Sequence, residues 1–133
     1  MCCERCEVWF IRSGLRIVKT YKDLEIFKGG YKLSLHIYKL TTSYPKEEIY
    51  GITSQLRRAA VSVPLNIAEG YGRMSKEEFK RFLKISLGSV NETETLIELS
   101  KDLGYINNKQ HENLAKQYDI LGKKIYKLIE NWK

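Results

Sequence analysis

A chain of 133 residues and 15.6 kDa with 43% hydrophobic residues holds enough apolar material for one core, which excludes a second full domain. Its 23 Lys and Arg against 16 Asp and Glu give a net charge of +7 and a pI near 9.3, favouring anionic partners: nucleic acid first, an acidic protein next, a membrane surface last. Cys2, Cys3 and Cys6 are the only cysteines, so no disulfide framework staples the body, and His36 and His111 lie too far along the chain to complete a zinc site.

The first twenty residues read as an appendage. The apolar stretch Val8 to Val18 is broken by Arg12 and Arg16 and is about half the length of a membrane span. Glu4 and Glu7 occupy the place where a secretory signal needs positive charge. These features, with the cysteine usage, predict a chain of the reducing cytoplasm without a membrane role. We divide it into an extension, residues 1–21, and a helical domain, residues 22–133.

The first predicted helix opens near Asp23 as N-cap and ends before Tyr44-Pro45, because the residue ahead of a proline leaves helical geometry. One apolar stripe holds Leu24, Phe27, Tyr31 and Tyr38, a second Ile26, Leu33, Ile37 and Leu40; Lys28, Lys32, His36 and Lys39 lie opposite. The second helix is expected after Pro45, with Glu47 and Glu48 in its first turn. Its seam is Ile49, Ile52, Leu56, Ala59, Val63 and Ile67, and Gly70 and Gly72 supply the stop. Ser75 and Glu78 form a capping box for the third, which buries Phe79, Phe82, Leu83, Val90, Leu96, Ile97 and Leu99 and ends at Gly104. Asn107 and Gln110 repeat that pattern for the fourth, whose seam is Leu114, Tyr118, Leu121, Ile125, Leu128 and Trp132. Long amphipathic helices with short connections predict an all-α, antiparallel up-down-up-down four-helix bundle.

Pro64 interrupts the second helix. Lacking an N–H, it leaves the Ala60 carbonyl without its helical partner and predicts a bend. Ala59, Ala60 and Ser62 are small enough to admit a close neighbour there, with Gly88-Ser89 a matching small surface. Arg58, Ser62, Asn66 and Glu69 form a continuous polar stripe. It reads as a wet face, a polar network between helices or subunits, or a binding site.

QLRRAAVSVPLNIAEGYGR, SKEEFKRFLKISLGSVNETETLIEL and YKDLEIFKGGYKL together resemble the four helix bundle proteins called 23S rRNA intervening sequence proteins. The resemblance covers about residues 21–133 and implies a small homopentamer. A related branch comprises the accessory variability proteins of diversity-generating retroelements, which associate with a reverse transcriptase and its RNA, so the resemblance also implies a reverse transcriptase as a possible partner. Residues 1–20 have no counterpart in it. Asn91-Glu92-Thr93-Glu94-Thr95 stands where the family leads one to expect a more apolar and acidic run.

Residues 46–103 carry nine bases and nine acids, so the domain's excess lies in the first and fourth helices. Lys28, Lys32 and Lys39 share one face of the first; Lys109, Lys116, Lys123 and Lys127 share one face of the fourth. On neighbouring helices these faces merge into a basic surface that suits phosphates, or stay an ordinary solvated lysine face. Lys76, Lys80, Arg81 and Lys84 crowd the start of the third helix while Glu92, Glu94, Glu98 and Asp102 hold its end, against the helix dipole. The chain has no Glu-x-x-His pairs for a di-metal carboxylate centre and no GxxxxGK[ST] phosphate loop. Cys6 has no nearby His to activate it. The expectation is a non-catalytic oligomer with no metal or cofactor, binding nucleic acid or a nucleoprotein; the alternative is a protein-interaction oligomer.

Overall fold

Four amphipathic segments fold as four helices: α1 (Glu25–Thr41), α2 (Ile52–Gly72), α3 (Lys76–Asp102) and α4 (Asn108–Asn131). The computed structural model describes residues 20–131, and the terminal cysteines and Trp132 lie outside them. Two short 3-10 turns, Tyr21–Asp23 and Lys46–Glu48, precede α1 and α2, and no strand occurs among the described residues. Each helix packs on its neighbours in sequence, most extensively α2 on α3, and α1 packs least extensively on α4. Between α2 and α3 the contacts climb one helix as they descend the other, as Gly70–Phe82 and Ser62–Ser89 show. The core is a contiguous cluster in which Ile37, Leu56, Val63, Ile67, Leu83, Leu114, Tyr118 and Ile125 are fully buried.

Helix boundaries correct several expectations. Asp23 caps no long helix: its carboxylate accepts from the Thr20 N–H while the Thr20 hydroxyl accepts from Lys22 N–H, so the pair closes the first 3-10 turn. The chain after Pro45 makes a 3-10 turn before α2, whose Ile52 N–H is capped by the Glu48 carboxylate at 3.2 Å. Ile49 consequently stays outside the seam, exposed. Gly70 does not stop α2. It lies buried within the helix because a Cβ there would stand 2.6 Å from Phe82 Cβ, closer than packing permits. The chain turns instead through Met74, which takes a left-handed φ of 61°. Ser75 caps α3 by accepting from Glu78 N–H, yet Glu78 does not reach back; its carboxylate pairs with Arg81. Asn107 and Gln110 close a complete reciprocal box at α4.

Two faces also differ from the pattern. Tyr31 and Tyr38 point to solvent, 54% and 46% exposed, because the core face of α1 centres on Leu33, Ile37 and Leu40 and their stripe falls beyond its edge toward α2. The Arg57 guanidinium covers the Tyr38 ring at 4.8 Å. Leu99 is likewise exposed, past the α3 seam.

Candidate nucleic-acid interface

The α1–α4 pair is drawn together at one end and parted at the other. Gly29 leaves room for Leu121, whose Cδ1 would lie 3.4 Å from an added Cβ, and Lys124 Nζ reaches Glu25 Oε1 at 2.6 Å. Farther along, from Lys32 to Ser43 on α1 and Gln110 to Gln117 on α4, lies a groove of ≈ 570 Å³. Lys32, His36 and Lys39 form its α1 wall, Leu33 and Leu40 its floor, and Gln110 and Gln117 its α4 wall. Among the described residues no acidic one lines it.

The basic rows are only partly brought together. Lys32 and Lys39 line the groove; Lys28, Lys109, Lys116 and Lys127 are exposed outside it. Among the described residues none of these six makes an ion pair. Lys123 differs: it pairs with Asp119 at 2.9 Å and lines a smaller groove between α3 and α4, ≈ 320 Å³, beside Asn91 and Glu94. There burial pushes the Glu94 carboxyl above the usual glutamate range, and the Asp119 charge adds to it. One turn on, hydrogen bonds from Lys101 and from His111 hold Glu98 below that range.

The polar stripe of α2 divides. Ser62 and Asn66 join a network with α3, in which Ser62 Oγ and Ser89 Oγ share a 2.8 Å hydrogen bond and Asn66 Nδ2 donates to both the carbonyl and hydroxyl of Ser62. Glu69 pairs with Arg73 on the surface, and Arg58 is exposed. Of the expected small surface opposite, Ser89 takes part, whereas Gly88 faces solvent with nothing near it. The close approach at the proline comes from α1: a Cβ on Gly30 would meet Val63 Cγ1 at 3.2 Å and Pro64 Cδ at 3.4 Å. Ser34 Oγ, whose one proton is shared with the Gly30 carbonyl at 2.8 Å, then reaches the Ala60 carbonyl at 3.0 Å, the acceptor that Pro64 releases. On the other side Ser86 Oγ donates to the Val63 carbonyl at 2.9 Å.

Sequence reasoning passed over Gln117 and read Gln110 only as part of the α4 cap, not as groove wall. Their signal was present: they sit seven residues apart on the core-flanking side of α4, where a closed seam would be apolar. It also passed over Ser34 and Ser86, whose value depends on the neighbouring helix. Among the described residues no cluster of His, Cys, Asp and Glu is placed to hold a metal ion, and no helix is long and apolar enough to cross a membrane.

The described residues thus form an all-helical fold with a lysine-walled cleft between α1 and α4. More closely, the chain is a member of the 23S rRNA-intervening sequence protein family, whose model matches residues 22–127. It is similar in fold to a crystal structure of a protein of unknown function from the S23 ribosomal protein family of Bacteroides thetaiotaomicron VPI-5482. The two share 24% identity over 80% of this chain and 99% of that one, with a TM-score of 0.72. Comparison with curated proteins gives no match.

Proposed function

We propose that the chain is a non-catalytic, up-down-up-down four-helix bundle that assembles as a homopentamer and binds nucleic acid or a nucleoprotein through a basic surface on α1 and α4. Support comes chiefly from Lys28, Lys32, Lys39, Lys109, Lys116 and Lys127, exposed and without ion pairs on two helices that touch, in a chain of net charge +7. Lysines that serve only bundle stability are commonly paired with acids three or four residues away, as Lys123 and Lys101 are here. The neighbourhood of 23S rRNA in the family's name agrees with a nucleic-acid partner. An accessory role beside a reverse transcriptase is compatible with the same surface.

The test is binding of labelled RNA and DNA across a salt series, with particle mass measured in the same buffer. Binding should weaken steeply with salt and fall at least tenfold on joint reversal of Lys109, Lys116 and Lys127 to Glu. Flat salt dependence, or no binding at physiological salt, would sink this reading. It would leave the second one, a protein-interaction oligomer, favoured by the large apolar side chains exposed on α1 and α2.

A further inference from the structure

We infer that the α1–α4 groove receives an unpaired nucleotide of a single strand: phosphates at Lys32 and Lys39, a base on the Leu33–Leu40 floor, and base edges at Gln110 and Gln117. This rests on the nucleic-acid reading above and narrows it to single-stranded substrate.

Bundle stability does not call for this groove. At Leu121 against Gly29 the same two helices meet through apolar atoms. Toward the other end α4 turns amides, and α1 turns two lysines and a histidine, into the same seam. Lys32 and Lys39, like Gln110 and Gln117, are seven residues apart, about 10 Å along each helix, so cations face amides across the cleft.

The two amides are already half committed, in opposite senses. Gln110 Oε1 accepts from Asn107 N–H at 2.9 Å in the helix cap, which leaves its NH₂ as a donor. Gln117 Nε2 donates to Asn113 Oδ1 at 3.0 Å, which leaves its carbonyl oxygen as an acceptor. Gln117 also keeps its second N–H, so donors and an acceptor beside an apolar floor suit the polar edges and flat faces of nucleobases. An acidic peptide would use the lysines but brings no flat apolar face for the leucine floor. A duplex keeps its bases paired and stacked, so its phosphates would meet the outer lysines while the cleft stayed empty.

The experiment titrates the full-length protein into a labelled single-stranded RNA of about 12 nucleotides and an RNA duplex of the same length, at several salt concentrations. The single strand should bind more tightly. Gln117→Leu, which closes the cleft without changing charge, should weaken single-strand binding about tenfold while leaving duplex binding and the salt slope unchanged. Gln117→Ala, which removes the amide and leaves the cleft open, should show the same loss, and melting temperature reports whether each variant is folded. Unchanged binding by a folded Gln117 variant overturns the groove assignment, as does displacement of the strand by polyglutamate at equal charge. If both nucleic acids bind and the Gln117 variants behave as the parent, the groove fails and the basic surface stands. If neither binds, both fail.

Discussion

At the scale of single residues, Pro64 shows how a helix tolerates a missing donor. The Ala60 carbonyl takes a hydrogen bond from Ser34 on α1, and Gly30 brings α1 close enough to deliver it. Ser34→Ala should therefore leave a buried acceptor unsatisfied and cost about 1–3 kcal/mol. Pro64→Ala restores an N–H within α2, so in that background the serine should matter less. Urea unfolding of the two single variants and the double variant measures the coupling. Additive effects would mean that the serine and the proline act independently.

At the scale of the element, α3 carries two glutamates one turn apart with opposite behaviour. Glu94 is raised, so folding takes up a proton: stability falls as pH rises from the ordinary glutamate value through the raised one, and the deficit persists above it. Glu98 is lowered by Lys101 and His111, so its contribution is present above the ordinary value and lost as pH falls through the lowered one. Glu94→Gln should raise the melting temperature at neutral pH and Glu98→Gln should lower it. The Glu94 difference should fade once pH falls below the ordinary glutamate value, and the Glu98 difference only once pH has fallen through its lowered value. The acids crowded at the end of α3 are thus partly answered, by Lys101 within α3 and by His111 of α4 for Glu98, but Glu94 meets another acid.

The same element shows what the sequence could reveal. Heptad leucines and cap residues report on their own helix, so α3 and α4 were legible nearly to the residue. Gly70 read as a stop because glycine ends helices; its actual reason, the proximity of Phe82, belongs to another element. Tyr31 and Tyr38 read as core because an aromatic stripe looks the same whether or not a neighbour covers it. The groove was hidden for that reason too: Lys32, Lys39, Gln110 and Gln117 join only when α1 and α4 do.

At the scale of the whole molecule, Tyr31, Leu35 and Tyr38 of α1 and Leu65 of α2 are large, apolar and exposed. Within one copy they have little to gain from burial, and substitutions there should change monomer stability by no more than about 0.5 kcal/mol. In a homo-oligomer they are the natural contact. Tyr38→Glu with Leu65→Glu should therefore lower the particle mass in light scattering while helicity is kept. An unchanged oligomer would place the subunit contact on another face.

The two serines that pin α2 at its proline also set an order of events. Ser34 and Ser86 tie α1, α2 and α3 together through buried hydrogen bonds, whereas the described hydrogen bonds from α4 to other helices, Lys124 to Glu25 and His111 to Glu98, lie at the surface. On the count of buried hydrogen bonds, α4 should open before the first three helices. In native-state hydrogen exchange the amides of α4 should lose protection ahead of those in α2. Because α4 is one wall of the groove, the most easily opened part of the fold is also the part that the proposed ligand would close.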